Sequence, residues 1–265
     1  MKELLAIEWM KIRRYRTFWV LVGLFLLLMP IWNFEVAYGL INLGGGKQGV
    51  NFLNTAYSFP DVWSNVGFWG SIFVLFLSIL VIIITTNEYT YKTNRQNVID
   101  GWSRLGFYHA KVLLVFIISA IATAYVFLLG FIFGIINSGS AANVFSEIQQ
   151  VGYFFLLSVN YLGFALFLSI WIKRSGLAIG LFLLYSFIIE NIAKSIINHW
   201  TDLPVGNLMP LQASDELLPF PIMQMAKTMM GNSPSISMNV YALATMLWCL
   251  VYYYCGKMIL VKRDW

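Results

Sequence analysis

The chain has 265 residues, of which 59% are hydrophobic and only 11% charged, against about 25% charged in an ordinary water-soluble domain. A soluble fold of this length cannot hide so much apolar surface, so composition excludes the water-soluble classes and makes lipid the solvent. The net charge of +5 sits in short clusters beside apolar runs. Anionic lipid and topology account for such clusters better than nucleic acid does, and no nucleic-acid partner is expected.

Residues 1–16 place Leu4, Leu5, Ile7, Trp9 and Ile12 among Lys and Arg, the pattern of an amphipathic helix lying on a membrane surface. The charge order resembles that of a signal peptide. The next apolar run is too long for a signal core and lacks a small-x-small cleavage site, so it reads as a retained first span. Six stretches are long enough to cross about 30 Å of hydrocarbon at about 1.5 Å per residue: Phe18 to Ile41, Val62 to Thr86, Val112 to Ile136, Gly152 to Ile172, Gly176 to Ile197 and Val240 to Val261. Pro30 and Glu35 lie in the first; the helix either kinks there or leaves the membrane early, and a neighbouring helix can satisfy the backbone group that proline frees. The expected fold is all-α, one transmembrane domain over residues 1–265 with six membrane helices.

Of the 17 Lys and Arg residues, all but Lys47, Lys194 and Lys227 fall on one side of these spans. The opposite side carries Glu35, Asp61, Glu147, Glu190, Asp202, Asp215 and Glu216. The positive-inside bias places both termini in the cytoplasm. The outer segment 198–239 contains Pro204, Pro210, Pro219, Pro221 and Pro234, so it should break into short pieces. Within it, Leu217 to Met230 is apolar enough for a short interfacial helix.

The most informative stretch is Asn87 to Leu114, NEYTYKTNRQNVIDGWSRLGFYHAKVLL. The chain leaves the second span at Glu88, turns at Lys92 to Gln96, forms a short helix, breaks at Gly101 and re-enters the membrane after Lys111. This resembles the cytoplasmic loop between the second and third spans of type-2 ABC transporter permeases, where an acidic residue, a basic Gly- or Thr-containing turn, a short helix, a Ser-Arg pair and a Lys come in that order. The matching positions are Glu88, Thr93, Arg95, Ser103, Arg104 and Lys111; many members carry proline before Ser-Arg, where this chain has Gly101 and Trp102. The six-span layout, the amphipathic start and the broken outer segment extend the likeness over most of the chain.

A pump that burns ATP outside the bilayer needs a rigid handle on its membrane helices. Val98, Ile99, Trp102, Leu105 and Phe107 would form an apolar contact face within the segment 87–110, with Arg95, Asp100 and Arg104 fixing its register. The plain alternative is a solvated loop whose basic residues serve topology alone. The resemblance implies a non-catalytic permease subunit in the inner membrane. It would pair with a second copy or a paralogue, and cytoplasmic ATPase partners would carry ATP and Mg. Its first, second and fifth spans would line a path, and export of a hydrophobic or amphipathic substrate fits Phe- and Leu-rich spans. A second reading is a membrane subunit that transmits force to an envelope partner without moving solute.

No P-loop is present: Gly44, Gly45, Gly46 and Lys47 lack its spacing and hydroxyl. Glu190 and Lys194, four apart in the fifth span, can pair on one helix face; with Asn191 they are candidates for a pathway or gate, the simpler role being structural. Asn160 and Asn191 suit interhelical hydrogen bonds, and Gly176 with Gly180 suits close helix packing. Cys249 and Cys255 lie six apart with no disulfide framework. His109 and His199 fall on opposite sides, so no metal site or nucleophile-base pair is expected.

Overall fold

The computed structural model describes residues 2–38, 57–93, 103–138, 143–201, 203–220 and 236–262, with side chains from Glu8 onward. All regular structure among them is helical. Helix α1 is Lys2–Arg13, α2 Arg16–Ala37, α3 Val62–Thr90, α4 Arg104–Ser138, α5 Gln149–Ile172, α6 Ser175–Thr201, α7 Gln212–Asp215 and α8 Met238–Lys262. Six of these, α2 to α6 and α8, are long and apolar enough to cross a membrane, so the chain is a multi-pass membrane protein. One end of the bundle, the basic end, gathers Lys11, Arg104, Lys111, Lys173 and Lys257.

Helix α5 is the centre, with 67% of its apolar window buried against 17% for α6. It packs along α3, α4 and α8. Its C-terminus stops at Lys173, in the left-handed region at φ 60°, so that α6 starts two residues later. At the opposite end, Trp63 of α3 is buried and its ring fills the space over Gly130, where an added Cβ would lie 2.8 Å from it. One turn on, Gly134 makes the same room for Phe59. Gly176 and Gly180 of α6, expected to let helices approach, have no neighbouring atom within 4 Å of an added Cβ. The chain's own close packing uses the Gly-x-x-x-Gly of α4 instead.

The spans differ from expectation at their ends. Helix α2 stops at Ala37, short of Ile41, while residues 39–41 lie outside the described set. Pro30 does not end it. Proline removes the N–H that would bond the carbonyl of Leu26, and the Tyr125 hydroxyl of α4 donates to that carbonyl at 2.6 Å.

Helix α4 begins at Arg104 rather than Val112, its first turn capped by Ser103 Oγ, which accepts from the Gly106 N–H at 3.0 Å. Phe107, Tyr108 and Ala110 are buried, so this first part of α4 belongs to the core. Helix α3 likewise runs past Thr86 to Thr90. The segment read as the loop 87–110 is thus shorter, with helix on both flanks. In both helices a charge near the span end proves to be buried and paired, and the helix need not stop for it.

Between the fifth and sixth spans the prolines break the chain as expected. Helix α6 runs to Thr201, a 3₁₀ turn covers Pro204–Leu208, and α7 is one short turn. Residues 217–220 are not helical, with Leu217 and Leu218 buried; the rest of the expected interfacial helix, 221–230, lies outside the described residues.

Candidate functional site

At the basic end, four charged side chains from three helices converge. Lys111 of α4 is 1% exposed and its Nζ lies 2.5 Å from Glu8 Oε2 of α1 and 2.5 Å from Glu88 Oε1 of α3. Lys11 reaches the same carboxylates at 3.4 and 3.3 Å. Two carboxylates and two ammonium groups balance, which is what makes burial tolerable. Burial raises the Glu8 carboxyl, but the ammonium groups of Lys111 and Lys11 outweigh it and hold the group below its ordinary value.

Each charge sits where periodicity would put an apolar residue. By helical spacing Glu8 falls in the stripe of Leu4, Leu5 and Ile12, and Lys111 in that of Phe107, Tyr108 and Val115. That signal, a charge inside an apolar stripe, would have found Glu8 as the partner of Lys111.

The segment 91–103, which joins α3 to α4, is rooted at this cluster through Glu88. The Thr93 hydroxyl points at the Glu88 carbonyl, 3.5 Å away. Ser103 caps α4 and Arg104 donates to the Val261 carbonyl of α8 at 3.4 Å. Arg95, Val98, Ile99, Asp100 and Trp102 lie outside the described residues. Of the expected contact face, Leu105 is exposed but Phe107 is fully buried in the chain's own core, so Phe107 cannot greet a partner.

At the opposite end the expected Glu190–Lys194 pair does not form. Helix α6 contains a π-helical turn at Tyr185–Ile189, whose extra residue rotates the remainder of the helix by roughly 100° about its axis. Glu190 emerges buried, and its Oε1 accepts from the backbone N–H of Leu211 at 2.6 Å and of Gln212 at 3.1 Å. It caps α7, where a carboxylate satisfies orphan amides. Lys194 turns instead to Glu216 Oε1 and Gln212 Oε1, both at 2.8 Å. Asn191 accepts from Gln212 Nε2 at 3.2 Å. Asn160 of α5 donates to the Pro210 carbonyl at 2.8 Å and to Ser214 Oγ at 3.0 Å.

Tyr161 donates to Asp215 Oδ1 at 2.8 Å. Burial pushes the Asp215 carboxyl up to about 7, against the pull of that hydrogen bond and of Lys194. Tyr161, Gln212, Asp215 and Glu216 were not legible as a set, because their partners are some twenty to fifty residues away in sequence.

These residues also border a cavity of about 380 Å³ between α3 and α6. Phe68, Ile72, Leu75, Phe187 and Phe220 give it apolar walls; Lys194, Asp215, Glu216 and Asn191 give it a polar side. Among the described residues no three His, Cys, Asp or Glu cluster as metal ligands, and Cys249 and Cys255 are free.

The family described as "Protein of unknown function (DUF2705)" matches residues 19–265. No curated protein matches the chain.

Proposed function

The chain belongs to the DUF2705 family, and we propose that it is the membrane subunit of an ATP-binding-cassette transporter, coupled to a separate ATPase. One observation carries this reading: buried Lys111, 2.5 Å from both Glu8 and Glu88. These residues come from α1, α3 and α4, and α3 and α4 flank the segment 91–103. A push on that segment cannot shift one of the three helices alone without parting a buried ammonium from its carboxylates, a loss of about 3–5 kcal/mol. The helices therefore move as one body. That is the property a pump needs when its energy is released outside the bilayer.

In this mechanism the ATPase partner, which holds ATP and Mg, grips the segment around Trp102 from the cytoplasm. Both termini lie there too, the membrane being the inner one; the crowding of Lys and Arg at the basic end supports this. Closure of the ATPase moves the segment, the ion cluster passes the displacement to α3 and α4, and α3 carries it towards the cavity shared with α6. A second copy or a paralogue completes the path, since one six-helix subunit is small to enclose it. Aromatic walls beside Lys194 and Glu216 suit a hydrophobic or amphipathic substrate. Glu190, Asn191 and Lys194 shape the outer end by holding the segment 203–220.

The firm tie of 203–220 to α5 and α6 also suits a machine that passes force to an envelope partner. Reconstituted vesicles separate the readings: ATP-dependent solute movement supports transport, whereas ATP hydrolysis that responds only to an outer partner supports the machine. No P-loop ATPase in mild-detergent preparations of the chain would overturn both.

A further inference from the structure

We propose that the groove between α4, α5 and α8 is a binding site for one acyl chain of an anionic phospholipid, drawn from the leaflet at the basic end. The inference rests on the chain being a membrane protein and is independent of the transporter reading.

Helices α4 and α8 both pack along α5 and are joined near the basic end. There the Tyr108 hydroxyl donates to the Tyr253 carbonyl at 2.8 Å, and its ring lies over Gly256, where an added Cβ would stand 2.8 Å from the hydroxyl. Away from this joint they part, leaving a cavity of about 560 Å³ lined by Val112, Phe116, Val159, Leu250 and Tyr253 among others. Its floor is Gly163 of α5: the nearest atom to an added Cβ there is Tyr252 Cδ2, at 3.8 Å. The missing side chain deepens the groove.

The two ends of the groove differ in chemistry. Towards the middle of the bundle its walls are hydrocarbon and aromatic carbon, and at that depth the surrounding solvent is lipid tail. At the basic end they finish in Tyr108 and Tyr253, and the Tyr253 hydroxyl lies 3.0 Å from Nε2 of exposed His109 beside them. Rings with one polar edge belong at the headgroup boundary. On α8, Leu250, Tyr253 and Lys257 succeed one another at helical spacing, so Lys257 continues this wall one turn further out. Lys257 is half-buried and makes no ion pair among the described residues. Arg104 is held to Val261 on the same edge. An apolar slot with tyrosines and then a lysine at its mouth matches, in order, a tail, a glycerol linkage and a phosphate.

The test uses the full chain reconstituted in vesicles of phosphatidylcholine and phosphatidylglycerol, either lipid carrying a photoactivatable diazirine on its acyl chain, with adducts mapped by mass spectrometry. The expected adducts concentrate on Val112, Phe116 and Leu250, and form preferentially with phosphatidylglycerol. Lys257→Gln lowers that preference about fivefold, as expected for one cation near a lipid surface. Gly163→Leu, which fills the floor, removes the groove adducts while the protein keeps its elution volume in detergent. Should that variant not fold, Leu250→Trp blocks the same slot from α8. Adducts spread evenly over bilayer-facing residues such as Leu177 and Leu181, or cross-links to a second copy through the groove residues, would overturn the proposal. So would unchanged groove adducts in both blocking variants.

Discussion

The Tyr125 hydroxyl of α4 donates to the Leu26 carbonyl of α2 at 2.6 Å, the acceptor that Pro30 leaves without its helical donor. An unpaired carbonyl costs most in lipid, where no water replaces the lost donor. Tyr125→Phe should therefore destabilise the protein by about 1–3 kcal/mol. The same change made together with Pro30→Ala should cost much less, because the helix then supplies its own N–H. Unfolding of the four variants of this cycle in detergent measures the coupling; equal costs for Tyr125→Phe in both backgrounds would contradict the pairing.

Lys111→Met leaves Glu8 and Glu88 buried together with only partly exposed Lys11 nearby. A loss of about 3–5 kcal/mol is expected, the usual penalty for removing one partner of a buried pair. Adding Glu8→Gln and Glu88→Gln should recover most of it, since no carboxylate then remains unpaired. Denaturation midpoints decide: a triple variant no more stable than Lys111→Met alone would mean that the charges are not matched as described.

Acid and base act oppositely at the two ends. The folded Glu8 carboxyl lies below its unfolded value, so its stabilisation is present above the ordinary carboxylate range and is lost as pH falls through the depressed value. Asp215 goes the other way. Its folded value of about 7 lies above the ordinary 3.8, so its contribution is full at low pH and declines as pH rises towards 7. Thermal unfolding from about pH 2 to about pH 8 should lose its acid limb, the fall below about pH 4.5, in Glu8→Gln and flatten between about 4 and 7 in Asp215→Asn. Unaltered slopes in both variants would refute these assignments.

Glu190 has a structural duty, to cap the amides of Leu211 and Gln212. Glu190→Gln keeps an acceptor and should leave transport-coupled ATP hydrolysis close to wild type, whereas Glu190→Leu strands two buried donors and should destabilise by about 1–3 kcal/mol each. Loss of activity in a folded Glu190→Gln protein would return this carboxylate to the substrate path.

Six spans, their order and the crowding of basic residues at one end were legible in the sequence, because a long apolar run is a signal that needs no partner. The ends of α3 and α4 were not. Glu88 and Lys111 look like markers of the water boundary until Glu8, remote in sequence, is brought between them. Hydropathy assigns each charge to solvent singly and cannot see that they pair. The Glu190–Lys194 pairing failed for a different reason. The two residues keep their four-residue spacing in the α-helical stretch that follows the π-helical turn, but each is claimed by a partner about twenty residues away, Glu190 by the amides of Leu211 and Gln212 and Lys194 by Glu216 and Gln212. Gly130 and Gly134 carry the same spacing as Gly176 and Gly180; only the rings of Trp63 and Phe59 tell which pair is used.

The central claim is that a nucleotide-burning partner drives this bundle through the segment between α3 and α4. The most direct measurement is ATP hydrolysis by the complex recovered with the tagged full-length chain from native membranes in mild detergent, for wild type and for the Trp102→Ala and Arg104→Glu variants. A P-loop ATPase should co-purify with wild type, and its substrate-stimulated hydrolysis should fall in both variants while membrane insertion is unchanged. Recovery of the chain with no ATPase, or equal stimulation in all three proteins, would contradict the account.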